Sequence, residues 1–422
     1  MKITLVTNAH ISYNPRLLKE ADALCDAGHD VRVVAVTNDL QRMMGDEIIL
    51  AGRGWRCTRL NFAREHGDGR LKWAVSGLRM KAYTALARVF FGFGTAEKAF
   101  CRYLPETARA VMEEKADLYI AHNLQALPVA AKAARAANGL LGFDVEDFHV
   151  SEDSGELADS LQQKLKEYIM GKYIRDCIHL SATSEAMADA LVESFGVRRP
   201  VVIYNVFPLE YRAGVLSPED RRAGPGSGDN RSYTAYWFSH VVSLDRGLQD
   251  FIRAMPLVNR RIELHLRGGI HGDAREKLLG LAAENGVTDQ LHFHPPIHAE
   301  DLVRDASNYD FGLALEQPVS RNRLITVTNK IFTYILAGIA VIATDTPGQR
   351  EVMAQAQGAG ILYEPGDFKS LAAHVNGLLE GDKLMSAKRR AWRIGQSRFN
   401  WDCEKSKLLA SVATLDYPVE QA

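Results

Sequence analysis

Two basic residues stand where the sequence predicts that a helix begins next to the end of a strand. Arg246 precedes Gly247 and a predicted helix, and Lys330 lies in the first turn of a helix that Gly338 ends. A cation beside the unpaired N–H groups of a helix start can bind phosphate and stabilise negative charge on a leaving group. The alternative interpretation of each residue is an ordinary surface salt bridge.

Polar and acidic side chains follow several predicted strands, where an open α/β sheet binds its ligands. Carboxylates there could orient hydroxyl groups of a substrate or act as a general base, whereas the alternative is that they cap the next helix. A histidine there could contact a ligand or be held by the neighbouring backbone. The residues in such positions are His122, Asp144, Glu146, Asp147 and Glu316, with His10 in the loop after the first strand.

The elements that would position these residues repeat a strand–helix–strand order. The first strand is predicted over 3–6, Asn14 and Pro15 begin a helix, Gly28 ends it, and 31–36 form the next strand. This order predicts a parallel sheet with a right-handed crossover. Further strands are predicted over 118–121, 140–143, 178–182, 201–204, 235–238, 262–266, 291–293, 311–315, 339–343 and 360–363, and further helices over 127–137, 157–175, 184–195, 382–398 and 401–413.

The fold class is therefore α/β, with two Rossmann-like domains that face a cleft. We predict an N-terminal domain over 1–208 and a C-terminal domain over 209–395, followed over 396–422 by a helix that crosses back to the first domain. The segment 212–232 is rich in Gly, Pro, Ser and charged residues, which predicts a loop inside the second domain. Clefts between domains are frequent sites for cofactors and substrates.

The composition excludes some classes of function. Lys and Arg total 51 and Asp and Glu total 52 in 422 residues, so the formal net charge of −1 argues against a nucleic-acid partner. The five cysteines are scattered without a paired spacing, and no apolar run reaches the length of a spanning helix. We therefore expect a cytoplasmic protein.

One segment departs from this balance. Residues 53–109 contain twelve Lys or Arg and four Asp or Glu, interleaved with aromatic side chains. The first interpretation is a helix packed on the sheet with a solvated basic rim. The alternative is a peripheral contact with the anionic inner face of a membrane.

We predict no metal site. His292, His294 and His298 have a spacing that zinc ligands use, but two prolines interrupt it and no cysteine accompanies it.

Several longer motifs follow one another in an order that resembles the GT-B glycosyltransferases, specifically the family 4-like sugar transferases. In the first half they are NPRLLKEADALCDAGHDVRVV, DLYIAHNLQALPVAAKAA, SATSEAMADALVESFG and VVIYNVFP. In the second half they are YWFSHVVSLDRGLQDFIRAM, YDFGLALE, NKIFTYILAGIAVIATD and GAGILYEPGDFKSLAAHV. The resemblance covers nearly the whole chain.

This resemblance implies transfer of a sugar from a nucleoside diphosphate sugar to a glycan or lipid-linked acceptor, with retention of the anomeric configuration. It implies no cofactor beyond the nucleotide sugar and no metal. The catalytic residues would be Arg246, Lys330 and His122. The donor-binding residues would be Asn329, Glu316, Thr333, Gly268, Gly269 and His240, and the acceptor-side residues Asp144, Glu146, Asp147 and His10.

The chain also departs from the family pattern. Ile325 and Thr333 stand where the family has a pair of glutamates, and His240 replaces an arginine of the donor loop. These departures favour an alternative function as a non-catalytic GT-B-shaped binding or partner subunit of a polysaccharide-assembly complex. A sugar-nucleotide 2-epimerase of the same fold is a third interpretation.

Overall fold

The structure is a computed structural model that describes residues 1–65, 67–92, 94–150, 160–221 and 231–415. Residues 222–230 of the loop predicted over 212–232, and the first residues of the helix predicted over 157–175, lie outside the described residues. The chain divides into two compact units, one of Met1–Ile203 with Lys405–Ala422 and the other of Tyr204–Glu404. The predicted domain limits at 208 and 395 lie near these divisions but not at them.

The first unit is built on a parallel sheet. Its strands are β1 (Lys2–Val6), β2 (Asp30–Thr37), β3 (Arg56–Asn61), β4 (Leu118–His122), β5 (Leu140–Val145), β6 (His179–Ala182) and β7 (Val201–Val202). Their order in the sheet is β3-β2-β1-β4-β5-β6-β7. The register places His122, Asp144 and Ser181 side by side on three neighbouring strands.

Helices connect these strands as a parallel sheet requires. They are α1 (Pro15–Asp26), α2 (Leu40–Leu50), α3 (Gly69–Ala87), α4 (Thr95–Phe100), α5 (Leu104–Met112), α6 (Leu127–Ala137), α7 (Leu161–Tyr173) and α8 (Glu185–Phe195). The predicted start of α1 is confirmed, because the Asn14 side chain accepts a hydrogen bond from the Leu17 N–H and Pro15 takes the first position.

The sequence analysis missed α2 and β3. The apolar side chains Leu40, Met44 and Ile48 of α2 are exposed, so α2 shows no apolar face directed at a core. β3 is an edge strand with the half-buried, mostly polar sequence RCTRLN, which lacks the apolar run of a buried strand.

The second unit contains another parallel sheet. Its strands are β8 (Tyr233–Val242), β9 (Ile262–Ile270), β10 (Leu291–His294), β11 (Phe311–Ala314), β12 (Ala340–Thr344) and β13 (Gly360–Tyr363), in the order β10-β9-β8-β11-β12-β13. Its core packs apolar side chains of the central strands against the helices, among them Trp237, Phe251, Leu264, Leu313 and Ile342.

Helices also connect the strands of the second half. They are α9 (Leu248–Ala254), α10 (Ala274–Glu284), α11 (Leu302–Ala306), α12 (Arg321–Ile325), α13 (Asn329–Ala337), α14 (Pro347–Gln355), α15 (Phe368–Leu378), α16 (Lys383–Ser397) and α17 (Trp401–Ala413). The division between the two units falls inside α17. In the described ranges, no helix combines the length and apolar character needed to cross a membrane.

Candidate functional site

Glu316 lies just beyond the end of β11, and cations surround its buried carboxylate. Lys330 Nζ lies 2.8 Å from Oε1 of Glu316. Arg323 Nη1 lies 3.4 Å and Arg246 Nη1 lies 3.7 Å from Oε2. The Thr328 hydroxyl donates a hydrogen bond of 3.3 Å to Oε1. We call Glu316, Lys330, Arg323 and Arg246 the Glu316 cluster.

Backbone geometry positions Arg246 in this cluster. Arg246 ends a short 3-10 helix, and Gly247 follows with a φ of 75°, a value that glycine adopts without strain. A Cβ atom at Gly247 would lie 2.3 Å from the carbonyl oxygen of Leu315. The turn therefore packs directly against the residue that precedes Glu316, and no larger residue fits there.

Three cations of the Glu316 cluster converge on one carboxylate. Burial alone would raise the pKa of Glu316, but the charges of Lys330, Arg246 and Arg323 outweigh it and lower the pKa. Glu316 is therefore ionised near neutral pH. Lysine and arginine side chains held together in this way can also bind an added anion such as a diphosphate.

Neighbouring polar residues support the loop that carries Glu316. Thr344, at the end of β12, donates a hydrogen bond of 2.7 Å from its hydroxyl to the backbone oxygen of Glu316. Gln349 in turn donates a hydrogen bond of 2.6 Å to the Thr344 hydroxyl. On α13, the buried Thr333 hydroxyl donates a hydrogen bond of 2.9 Å to the backbone oxygen of Asn329. The roles of Asn329 and Thr333 in donor binding stay predictions.

Gly268 and Gly269 lie near the end of β9, beside an irregularity in the register of β8. Gly268 has a φ of 153°, and a Cβ atom there would lie 2.4 Å from the Ser239 carbonyl oxygen. Close approach of the β8 backbone therefore accounts for this glycine without a ligand. His240 on β8 is exposed. A donor-binding role stays a prediction for all three residues.

A second group of charges is buried in the first unit. Arg16 donates two hydrogen bonds, of 2.6 and 2.8 Å, to the two carboxylate oxygens of Asp144. His122 Nε2 lies 3.3 Å from Oε2 of Glu20, and its Nδ1 lies 3.5 Å from Oδ2 of Asp144. We call Arg16, Glu20, His122 and Asp144 the Arg16 cluster. All four side chains are almost completely buried.

The sheet and α1 assemble this cluster together. His122 and Asp144 are cross-strand partners on β4 and β5, and the Ser181 hydroxyl on β6 donates a hydrogen bond to Asp144. Arg16 and Glu20 lie one turn apart on α1, so both point to the same side of the helix.

The charges of the Arg16 cluster balance one another. Burial would lower the pKa of His122, but Glu20 and Asp144 raise it to about 9, so His122 is an imidazolium near neutral pH. Burial would raise the pKa of Asp144, but Arg16 and His122 hold it well below its usual range. Two cations thus face two carboxylates.

Two titratable side chains lie beside this balanced cluster. Glu146 is half-buried, and its burial together with the charge of Asp144 raises its pKa to about 7. Burial lowers the pKa of Lys19 on α1 to about 7 as well. Both groups can therefore change protonation near neutral pH, whereas Asp144 cannot. Asp147 is half-buried in the same loop.

His10 has different partners. Its Nδ1 lies 2.8 Å from Asp46, and its Nε2 accepts hydrogen bonds from the backbone N–H groups of Asn38 and Asp39, at 2.9 and 3.2 Å. Because Nε2 accepts hydrogen bonds, Nδ1 carries the proton and donates a hydrogen bond to Asp46. His10 thereby ties the loop after β1 to α2, and its acceptor-side role stays a prediction.

One group of residues could converge on a metal ion. Glu20, His122 and Asp144 offer ligand atoms within 4.8 Å of one another. Arg16 already binds both oxygens of Asp144, so these contacts fit an ion-pair network better than a metal centre. His292 and His294 contact Glu263 and His265, at 2.8 and 2.9 Å, instead of a common point.

Sequence reasoning missed several members of the two clusters. Arg323 lies on a short helix that was not predicted, and Arg16 and Glu20 were not distinguished from other charged residues of α1. The signal that could have indicated Arg16 and Glu20 was their opposite charges at positions i and i+4 of a helix that also carries an apolar face. The residues missed are Arg16, Glu20, Ser181, Arg323 and Thr328.

Comparisons with known proteins agree with a fold of two α/β units. Residues 13–205 match the family described as glycosyl transferase 4-like domain, and residues 234–381 match glycosyl transferases group 1. The chain therefore belongs to the GT-B glycosyltransferases, in the family 4-like group. Among curated proteins, no sequence matches this chain.

Solved structures share the fold at low sequence identity. Anabaena HepE in complex with UDP superposes with a TM-score of 0.68 at 17% identity, covering 98% of this chain and 100% of HepE. Sucrose-phosphate synthase from Thermosynechococcus elongatus gives 0.69 at 14% identity, covering 98% of each chain. WaaG, a glycosyltransferase involved in lipopolysaccharide biosynthesis, gives 0.60 at 12% identity, covering 97% of this chain and 99% of WaaG.

Proposed function

We propose that this chain transfers a sugar from a nucleoside diphosphate sugar to a glycan or lipid-linked acceptor, with retention and without a metal ion. The observation that carries the proposal is the convergence of Lys330, Arg246 and Arg323 on the buried carboxylate of Glu316, at the end of a strand where α/β sheets bind ligands. The donor diphosphate would bind to these cations.

The same cations would assist the chemical step. When the bond between the sugar and the diphosphate breaks, negative charge grows on the leaving phosphate oxygen. Cations that are already held in place by Glu316 stabilise that charge without having to reorganise. Glu316 would thus orient the cations in addition to any contact with the sugar.

In the first unit, we propose Glu146 as the residue that exchanges a proton with the acceptor. Its pKa of about 7 suits a group that must gain and lose a proton near neutral pH. Asp144 would act on Glu146 through its charge, because its own oxygens are bound to Arg16 and Ser181. His122, as an imidazolium, would donate hydrogen bonds to the carboxylates of Glu20 and Asp144.

Structural neighbours support the donor and acceptor classes. HepE has been solved with UDP, with UDP and glucose, and with UDP-glucose. WaaG is involved in lipopolysaccharide biosynthesis. UDP is therefore the first nucleotide to test.

A thermal-shift panel of UDP, GDP, ADP, dTDP and CMP tests donor binding. A ligand at one hundred times its Kd stabilises the protein by about 2.7 kcal/mol, which raises Tm by a few degrees. We expect one base to respond and Arg246→Ala to lose the response. Arg261→Ala is the matched control, since Arg261 forms ion pairs with Glu263 and Asp289 instead. A flat panel, or a full response in Arg246→Ala, contradicts the proposal.

Thr333 favours a second candidate function, that of a non-catalytic binding subunit. It stands where the family has a glutamate, and its buried hydroxyl bonds the Asn329 backbone. Slow hydrolysis of the responding nucleotide sugar without an acceptor distinguishes the two functions. Hydrolysis that is lost in Arg246→Ala supports the transferase, whereas tight binding without hydrolysis or transfer supports the binding subunit.

A further inference from the structure

Helix α3 carries apolar side chains on two opposite faces. The inward face includes Trp73, Met80, Tyr83 and Ala87, which are partly or fully buried. The outward face carries Leu71, Val75 and Leu78, which are 71%, 48% and 70% exposed. Val89 follows on the same side just after the helix and is 74% exposed. The first unit folds without covering this second face.

The outward side chains form a continuous stripe. Their spacing of four, three and eleven residues returns to the same side of an α-helix, with Ala82 and Ala85 between them. The helix ends at Ala87, and the N–H groups of Val89 and Phe90 still donate to the Leu86 oxygen, so the stripe continues through one more turn. Phe90 follows with 60% of its surface exposed. The stripe is about 27 Å long at 1.5 Å per residue.

Positive charge borders this stripe on both sides. Residues 69–94 contain five Lys or Arg and no Asp or Glu. Arg70, Lys81 and Arg88 lie along one border and are exposed, and no described residue forms an ion pair with them. Lys72 and Arg79 lie along the other border, where Asp68 and Glu106 pair with them.

We propose that α3 and the turn after it, residues 69–92, lie on the surface of an anionic membrane. The apolar stripe would enter the boundary between headgroups and acyl chains, and the bordering cations would contact anionic headgroups. Because residues 69–94 contain basic side chains and no acidic ones, their charge is opposite to that of the membrane surface. This proposal is independent of the transfer reaction, because it concerns a surface whose residues belong to neither charge cluster.

Charge favours a membrane over a second copy of the chain. Two copies that met through this stripe would bring the exposed Arg70, Lys81 and Arg88 of one copy close to those of the other, and residues 69–94 contain no carboxylate to separate them. Anionic lipid supplies the opposite charge and an apolar phase together.

Flotation with lipid vesicles tests the proposal on the full chain. We expect binding to vesicles of 30% phosphatidylglycerol in phosphatidylcholine, and much weaker binding to pure phosphatidylcholine or at high salt. The double variant Leu71→Glu/Leu78→Glu should bind at least tenfold more weakly. Arg70→Gln, Lys81→Gln and Arg88→Gln should each weaken binding about fivefold.

Leu257→Glu is the matched control, since Leu257 is an exposed apolar residue of the second unit, at 47%. It should bind vesicles as the wild type does, and all variants should keep the wild-type Tm. The proposal is overturned if the wild type does not float with anionic vesicles, or if the double variant floats as well as the wild type. It is also overturned if sedimentation shows a dimer that the double variant dissociates while vesicle binding is absent.

Discussion

The two charge clusters occupy equivalent places in their sheets and differ in balance. Each lies at the carboxyl ends of parallel strands, where α/β proteins bind ligands. The Arg16 cluster sets two cations against two carboxylates, whereas the Glu316 cluster sets three cations against one. Position at a strand end therefore does not by itself define an anion site. The two clusters differ in how many cations converge on each carboxylate.

The largest expected effect comes from breaking the balance of the Arg16 cluster. Arg16→Met would leave Asp144 and Glu20 buried with one cation, so we expect a loss of about 3–5 kcal/mol in the free energy of unfolding. Urea denaturation measures it. Arg246→Met is the matched variant of the other cluster and should cost less than about 1 kcal/mol, because Arg246 is the most distant of the three cations around Glu316 and the other two remain. Equal losses in the two variants would remove the distinction between the clusters.

Gly247→Ala should disturb the Glu316 cluster through the backbone. The positive φ and the clash with the Leu315 oxygen would displace Arg246, costing about 1–2 kcal/mol and weakening nucleotide binding at least tenfold. Titration calorimetry and urea denaturation measure the two effects. Gly196→Ala is the control, since Gly196 also has a positive φ, with nothing within 4 Å of an added Cβ. Its stability should fall by about 1 kcal/mol, less than in Gly247→Ala because only the positive φ is strained, and its affinity should be unchanged. Unchanged affinity in Gly247→Ala as well would contradict the account.

The clusters should respond to pH in opposite directions. The pKa of His122 rises from 6.5 to about 9 on folding, so its stabilisation is complete below pH 6.5 and is lost as pH rises through about 9. The pKa of Glu316 falls on folding, so its stabilisation is present above pH 4.5 and is lost as pH falls through its lower folded pKa.

Urea midpoints measured from about pH 2 to about pH 10 test this contrast, since the acid loss lies below pH 4.5. His122→Gln should reduce the loss on the alkaline side, and Glu316→Gln should reduce the loss on the acid side. The same alkaline loss in His122→Gln and the wild type would contradict the assignment.

Ser181→Ala should cost less than Arg16→Met in the same cluster. It removes one hydrogen bond to Asp144 and leaves both bonds from Arg16 in place, so we expect a cost of about 1–2 kcal/mol. Thermal denaturation measures this cost. A cost as large as that of Arg16→Met would show that the cluster depends on the hydroxyl and not on its charge balance.

The sequence predicted the sheets because their strands are short apolar runs between clear helix signals. Asn14 and Pro15 at the start of α1, and Gly338 at the end of α13, are examples in which local chemistry alone determines the boundary. α2 and β3 escaped detection because their sequences lack the apolar run or the regular apolar face that indicates the other elements. Elements of this kind thus depend on tertiary context.

The candidate sites were predicted in part. Strand ends indicated His122, Asp144 and Glu316, and helix starts indicated Arg246 and Lys330. The partner of each residue was not predictable, since Arg16 and Asp144 lie 128 residues apart and meet through tertiary packing. The sequence therefore identified charged positions, whereas the distinction between a balanced and an unbalanced cluster required the structure.

Titration calorimetry with UDP, or with the nucleoside diphosphate that replaces it in the thermal-shift panel, tests the central claim most directly. The informative variant is Arg323→Ala, because Arg323 joins the Glu316 cluster in the structure and no sequence motif indicated it. We predict that Arg323→Ala binds at least tenfold more weakly at an unchanged Tm, while Arg261→Ala binds as the wild type does. Wild-type affinity in Arg323→Ala would contradict the claim that the cations of this cluster bind the donor diphosphate.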